Sequence, residues 1–323
     1  MFPLRIAAVS HGAVPFWNAG SEVVLHLMLR ALHRRGHHTK VFTPPHFGAT
    51  PTWIHQGVEG ASWGTLEEAL DSMERWEPDL VITQHGVSWD TMKRAKSLGI
   101  PGIFVAHMEG EMSAGIMEME PDAVVVTRHE YQQRFDSFGA RTFRMPPPCD
   151  PVDHATTPGT AVTLANLTVN KGSGIFYELA ERFPDQQFIG VIGAYTRKDI
   201  DIRPMPNVTV HESVTDMREI WSKTRVLLAP SAWETCSVVT VEACASGIPV
   251  LASDILGMRI PLEDAAIFLP LDCPDVWEVQ LGMLLRDQEY WLSRSAAARR
   301  RADRQASTTA ADLERWVHFI ETF

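Results

Sequence analysis

Short apolar runs and stretches of helical periodicity alternate along almost the whole 323-residue chain. A run of four to seven apolar residues fits a strand buried on both faces. A helical stretch after each run supplies the crossover that parallel pairing requires. Leu4 to Ser10 is the first such run. Val23 to Leu32 follows with apolar residues at helical spacing and stops at Gly36, a suitable C-cap. Thr39 to Phe42, Leu80 to Thr83, Gly102 to Ala106 and Ala123 to Thr127 read as further strands. Thr65 to Trp76 and Ser88 to Ser97 read as helices between them. The expected class is α/β, with parallel sheets covered on both faces.

The pattern breaks at Met145-Pro146-Pro147-Pro148-Cys149-Asp150-Pro151, because consecutive prolines continue neither a helix nor a central strand. It then restarts, with strands expected at Ala161 to Ala165, Gln187 to Ile192, Val208 to Val210, Val226 to Leu228, Pro249 to Ala252 and Ala266 to Leu269. Helices are expected at Gly172 to Arg182, Asp216 to Lys223 and Val238 to Ala245. The tail from Asp275 reads as mostly helical, with Thr308 or Thr309 as N-cap of the last helix. A chain of this length exceeds one ordinary core. The expected organisation is residues 1–150, residues 151–305, and a C-terminal helix over 306–323 that packs back on the first domain. Two Rossmann-like, doubly wound domains of this kind would face a central cleft, with ligands outside the carboxyl ends of the strands.

Composition narrows the partners. The net charge of −11 disfavours a polyanion, so no stable nucleic-acid binding is expected. The basic stretch Arg30 to Lys40 leaves peripheral membrane contact open, although a solvated helix end explains it as well. No apolar run approaches the roughly 18 residues of a membrane span. The opening MFPLRIAAVS is too short for a secretory apolar region, and a cytoplasmic location is expected. Cys149, Cys236, Cys244 and Cys273 are scattered without a CxxC pair, as in a reduced protein. His33 and His37 lie four apart, but Gly36 interrupts the helix between them, and no metal site is expected. Gly12 to Trp17 lacks the GxGxxG of a dinucleotide oxidoreductase. Asp199-Ile200-Asp201 falls in a polar turn rather than at a strand end, so chance accounts for its likeness to a metal-binding acidic triplet.

The most informative segment is Leu227 to Gly257, LLAPSAWETCSVVTVEACASGIPVLASDILG. A strand ends at Pro230, a loop carries Glu234, and a helix starts near Ser237 or Val238 and presents Glu242. A helix start offers N–H groups and partial positive charge, which suits a diphosphate. The amides near Cys236, Ser237 and Val238 are expected to form that cradle. Ionised carboxylates only accept hydrogen bonds, which matches the hydroxyls of a ribose or hexose.

This segment resembles the retaining GT-B-fold glycosyltransferases of family 4 (glycosyl transferases group 1). The resemblance rests on Glu234 and Glu242 with seven residues between them, on Pro230-Ser231, on Ser246-Gly247-Ile248-Pro249-Val250, and on Ser253-Asp254. Asn18-Ala19-Gly20-Ser21-Glu22, Val105-Ala106-His107, Lys171-Gly172 and Ile192-Gly193 extend it over nearly the full chain. It implies that Glu242 binds the nucleotide ribose and Glu234 the donor sugar. It implies that Lys171 neutralises the diphosphate, that Gly20 and Gly193 approach the donor, and that His107 contacts the sugar near its anomeric carbon. His85 is a second strand-end candidate, and Glu22 has the character of a residue that caps or packs locally. Asn166 replaces the arginine common in the family, and Ala19 replaces a common second glycine.

The implied activity is transfer of a sugar from a UDP- or GDP-linked donor to an acceptor hydroxyl. The implied reaction is metal-independent, retains anomeric configuration and uses no cofactor. The alternatives are a nucleotide-sugar epimerase of the same fold and a non-catalytic sugar-nucleotide-binding protein. The acceptor stays open, with the aromatic and histidine-rich stretch Phe47 to Trp63 a candidate for the acceptor side.

Overall fold

The computed structural model describes residues 2–45, 51–108, 110–193 and 199–323, with the backbone alone at residue 129. The chain divides into two compact units, one of residues 1–148 and 310–323 and one of residues 149–309.

The first unit opens with β1 (Arg5–Val9), α1 (Gly20–Arg34), β2 (His38–Thr43), β3 (Thr52–His55) and β4 (Val58–Ser62). It continues through α2 (Leu66–Arg75), β5 (Leu80–Gln84), α3 (Ser88–Leu98), β6 (Gly102–Ala106), α4 (Glu111–Met117), β7 (Ala123–Val126), α5 (His129–Asp136) and β8 (Thr142–Arg144). The sheet order is β3-β4-β2-β1-β5-β6-β7-β8. Every pair is parallel except β3–β4. The period-two alternation of a strand sorts its side chains between two cores. Ile6 and Ala8 of β1 pack into one face with Met28 and Leu29 of α1, while Ala7 and Val9 pack into the other with Phe42 and Leu70. The second face explains the capping box that opens α2, where Thr65 and Glu68 satisfy each other's amides and hold Leu70 and Met73 against the sheet.

The hairpin β3–β4 was not among the expected strands. The described part of the Phe47 to Trp63 stretch forms it, and residues 47–50 lie outside the described residues. Its two-residue turn at Gln56-Gly57 has positive φ at both positions, the geometry whose twist matches paired strands. Strand β8 was also unexpected; Thr142–Arg144 is too short to carry a pattern.

The second unit contains β9 (Ala161–Ala165), α6 (Ser173–Arg182), β10 (Phe188–Val191), β11 (Val208–His211), α7 (Arg218–Trp221), β12 (Thr224–Ala229) and α8 (Val238–Ala245). It goes on with β13 (Val250–Ser253), α9 (Leu256–Leu262), β14 (Ala266–Leu269), α10 (Pro274–Arg286) and most of α11 (Gln288–Glu321). Its sheet, all parallel, has the order β11-β10-β9-β12-β13-β14. Two cores again cover its faces. Leu227 and Ala229 of β12 join one, and Val226 and Leu228 join the other.

One expectation at the C-terminus is corrected. No new helix is capped at Thr308 or Thr309, because α11 runs unbroken from Gln288 to Glu321. The Thr308 hydroxyl donates to the Arg304 carbonyl one turn back. Thr309 is a buried strap: its hydroxyl donates to the Cys149 carbonyl and accepts the Cys149 amide, at 3.0 and 3.1 Å. That pair of bonds satisfies the backbone where the proline run has removed N–H donors. Residues 310–323 group with the first unit. There Trp316 is fully buried, 5.5 Å from the Phe143 ring, and Val317 and Ile320 join the α1 core. Among the described residues no helix is long and apolar enough to cross a membrane.

Each sheet crosses from one side of its first strand to the other. In the first, β1 has β2 on one side and β5 on the other; in the second, β9 has β10 on one side and β12 on the other. Crevices open at the carboxyl ends of such strand pairs.

Two substitutions test this architecture. Trp316→Ala is expected to destabilise the first unit by about 3–5 kcal/mol, as large aromatic truncations in packed cores do. Urea unfolding followed by hydrogen exchange in β1 and β7 reads it. Gly172→Ala is expected to cost about 2 kcal/mol or more in the second unit, because Gly172 has φ of +84° and a methyl group there would overlap the Pro230 carbonyl. Urea unfolding of that variant with exchange read in β9 and β12 checks it.

Candidate functional site

In the second unit the site residues gather at the switch point between β9 and β12. After β9 the chain turns at Asn166, whose φ is +75°. Asparagine is among the few side chains that tolerate this left-handed region, which gives a backbone reason for the departure from the family arginine. Gly193, just beyond β10, faces it: a methyl group on Gly193 would lie 2.6 Å from the Asn166 side chain. Gly193 therefore makes room for Asn166.

A single 3-10 turn at Val169–Lys171 leads to Gly172, which ends that turn and starts α6. The missing side chain at Gly172 lets Pro230 at the end of β12 come close, and the Ala232 amide donates to the Asn170 carbonyl at 2.9 Å. This approach brings Lys171 onto the loop after β12, where its ammonium forms an ion pair with Glu234. The Ser231 hydroxyl lies 3.4 Å from the same Glu234 oxygen. The Ser253 hydroxyl holds the Ser231 carbonyl at 2.7 Å. Gly257 completes the enclosure, since a methyl group there would overlap the Glu234 carbonyl. The structure thus brings Lys171 and Glu234 into direct contact, although 63 positions separate them.

The helix start is more restricted than expected. The Ser237 amide already donates to the Gly257 carbonyl at 3.2 Å, so it is not a free member of an anion cradle. Its carbonyl accepts the Thr240 hydroxyl at 2.7 Å. Val238 and Val239 open α8, where N–H groups have no acceptor within the helix. Both side chains are partly exposed, as is that of Cys236.

Glu242 lies one turn further along α8 and is 6% exposed. Burial pushes its carboxyl above the usual carboxylate range, and His154 partly offsets that. His154 Nδ1 stands 4.0 Å from a Glu242 oxygen. Burial, with the Glu242 charge adding to it, also raises the Cys149 thiol. His154 escaped the sequence reading because it sits in the irregular segment after the prolines, where no periodicity marks a position.

The first unit gathers a second set of polar side chains at the carboxyl ends of β1, β5 and β6. His107 follows β6, and its ring stacks on His85 at 4.9 Å; His85 meets His11 edge-on at 5.0 Å. His107 Nε2 is 2.7 Å from Gln84 Oε1. The Gln84 amide nitrogen donates to Ser10 Oγ at 3.0 Å and to Glu22 at 3.2 Å. Burial first, then the neighbouring imidazoles, holds His107 at about 3 and His85 at about 4. Both rings are neutral at pH 7. Glu22, expected to cap or pack locally, packs inward against Gln84 and is 2% exposed. Gly20 is the first residue of α1 and is exposed. His11 and Gln84 were not singled out from sequence; their signal is that each ends or follows a strand of the switch-point pair.

The remaining candidates have structural partners. Asp201 bonds the Ser173 hydroxyl and Arg203, which ties the turn after residue 198 to the start of α6. His37 Nδ1 accepts the Leu4 amide at 3.1 Å. Among the described residues no group of three or more metal-ligating side chains is present.

Residues 159–287 match the sequence profile of the family Glycosyl transferases group 1. D-inositol 3-phosphate glycosyltransferase of Xylanimonas cellulosilytica is 26% identical over 282 residues, which is 75% of this chain. The match spans 66% of that relative, a little under two thirds of its length. Sucrose-phosphate synthase from Thermosynechococcus elongatus superposes with a TM-score of 0.76 at 16% identity, covering 99% of both chains. Anabaena HepE, solved in complex with UDP-glucose, gives 0.77 at 13% identity, covering 99% of this chain and 100% of that one. Residues 159–287 are thus similar to the glycosyl transferases group 1, and the chain carries the fold of the GT-B glycosyltransferases.

Proposed function

We propose that the protein is a glycosyltransferase that moves a sugar from a UDP- or GDP-linked donor to an acceptor hydroxyl, with retention of configuration. The observation that carries this reading is the pairing of Lys171 with Glu234 at the switch point of the second sheet, on the same unit as the buried Glu242. Retention rests on the likeness of the Glu234–Glu242 segment to retaining enzymes. The use of a nucleotide sugar draws support from HepE, whose structure holds UDP-glucose.

The chemistry follows from the donor and acceptor inventory. A buried carboxylate is costly to hold without partners. Two ribose hydroxyls offer Glu242 the two donors that such a group lacks in apolar surroundings. Lys171 has three N–H donors. It can keep Glu234 with one and meet the departing diphosphate with the others. The N–H groups that open α8 at Val238 and Val239 add the partial positive charge of a helix start. Charge placed in advance stabilises the leaving group without solvent reorganisation. It also supplies what a divalent cation supplies elsewhere, so we propose that turnover needs no metal. Glu234, oriented by Lys171 and Ser231, then has an oxygen for a hydroxyl of the transferred sugar. In the first unit, His107 is assigned to hydrogen-bond a sugar hydroxyl, and its neutral ring excludes a role as acid at pH 7. All four cysteines are free, as in a reducing compartment, and we place the reaction in the cytoplasm.

A thermal-shift screen of UDP- and GDP-sugars, followed by turnover assays with and without chelator, tests the reading. Conversion of the donor to an epimer in the absence of any acceptor would overturn it. Glu242→Gln is expected to move stability and binding in opposite directions. The raised carboxyl binds its proton more tightly in the folded state than in the unfolded chain. Its contribution is therefore full below the unfolded value and lost as pH rises through the folded one. At pH 7 the ligand-free variant is expected to melt about 2–4 °C higher, the effect of roughly 1 kcal/mol in a domain of this size. That advantage fades as pH falls toward 4. Donor affinity is expected to drop about ten- to a hundredfold, the value of charge-assisted hydrogen bonds, read by calorimetry. Lys171→Ala is expected to lower kcat about a hundredfold or more, in the range found on removing one charge-stabilising donor; an unchanged kcat would remove Lys171 from the leaving-group role.

A further inference from the structure

The polar cluster of the first unit contains more order than a sugar contact requires. Gln84 is fully buried at the end of β5. Its amide nitrogen faces Ser10 Oγ at 3.0 Å and a Glu22 oxygen at 3.2 Å. The other Glu22 oxygen accepts the Ser21 hydroxyl at 2.8 Å. With the Ser21 hydroxyl donating to it and His11 Nε2 3.6 Å away, Glu22 is taken as the carboxylate, which offers no proton, so the group facing it is the NH2 of the amide. A flipped Gln84 would set its oxygen against the carboxylate, two acceptors in contact and both buried. With the NH2 side fixed, the amide oxygen must face His107, and it does, 2.7 Å from Nε2. An amide oxygen only accepts. His107 must therefore carry its proton on Nε2 and present Nδ1 as a lone pair.

We infer that Gln84, oriented by Glu22 and Ser10, is a positioning residue that locks His107 in the Nε2–H tautomer, so that His107 accepts a hydrogen bond from a substrate hydroxyl through Nδ1. The tautomer assignment rests on the hydrogen-bond chain alone; the identity of the hydroxyl as one on the donor sugar or the acceptor rests on the transferase reading above. The groups that face this chain are Glu22, His11 and His85. His11 Nε2 stands 3.6 Å from the same Glu22 oxygen that Gln84 meets. His85 covers the flat face of His107 rather than its edge, so it stacks without competing for a ring nitrogen. Among the described residues Gln84 is the partner recorded at His107 Nε2. A neutral imidazole free in water exchanges between its two tautomers, and the bond made by one nitrogen decides which form persists.

Imidazole 15N–1H correlation spectra of the full-length protein at pH 7 test this, with His107→Gln used to identify the His107 signals. The expected wild-type pattern has Nε2 protonated and Nδ1 bare. The opposite tautomer, or an averaged mixture, would overturn the inference. In Gln84→Ala the locked pattern is expected to give way to a mixture, and kcat to fall about tenfold, the value of one hydrogen bond. In the paired variant Gln84→Glu with Glu22→Gln, the amide at 22 donates to the carboxylate at 84, which still accepts from Nε2, and the Nε2–H form is expected to return. A merely structural role for Gln84 would move stability and leave the tautomer unchanged in Gln84→Ala, which would also overturn the inference. Absence of any turnover by the wild-type protein counts against the transferase reading and leaves the spectra to decide the tautomer by themselves.

Discussion

Parallel pairing makes every strand of a sheet point the same way, so all carboxyl ends fall along one edge. The rest of this structure depends on that constraint. In the first unit it sets Ser10, Gln84 and His107 on one edge, because each ends or follows β1, β5 or β6. In the second it does the same for Asn166, Pro230 and Ser253 around β9, β12 and β13. Neither group needs sequence proximity. The hydrogen-bonded register of the neighbouring strands supplies it, with Leu228 opposite Leu164 and Ile82 opposite Ala8. Packing on both faces then leaves the edge as the place where polar groups can meet a ligand.

The second unit uses absent side chains to tighten this edge. Gly172, Gly193 and Gly257 each stand where a methyl group would strike a neighbour, namely Pro230, Asn166 and Glu234. Close approach of three segments sets the Lys171–Glu234 contact. Each unit also holds buried polar groups that are costly to keep. Glu242 is buried with its carboxyl raised, and in the first unit His85 and His107 are held neutral well below their ordinary range. Costs of this kind in either unit are ones that a bound ligand can relieve, which is the usual tension between stability and activity.

The α/β class, most strand positions of both units and the break at the proline run were legible because each rests on local chemistry: apolar runs of strand length, helical spacing and prolines without N–H groups. The Glu234 to Glu242 segment was legible as a string. Its contact with Lys171 was not legible, because no local pattern links positions 171 and 234. The hairpin β3–β4 was missed because Thr52–His55 and Val58–Ser62 mix polar and apolar residues and join the sheet through pairing with β2. Thr308 and Thr309 looked like caps because threonine favours helix starts. Within α11 their hydroxyls bond instead to the Arg304 and Cys149 carbonyls, a choice made by packing and not by propensity.

By itself the sequence determined most of the strands and many of the helices, that the sheets are mainly parallel, and which residue types stand at strand ends. These follow from periodicity and from the backbone preferences of single residues. Only the tertiary structure decided which strand ends are neighbours. It closed the Ser237 amide to a ligand by giving it the Gly257 carbonyl, set His154 beside Glu242, and joined Glu22, Gln84 and His107 into one hydrogen-bonded chain. The reason is physical: a hydrogen bond between residues 62 or 63 positions apart has no local signature, and it exists only once the sheet has chosen its strand order.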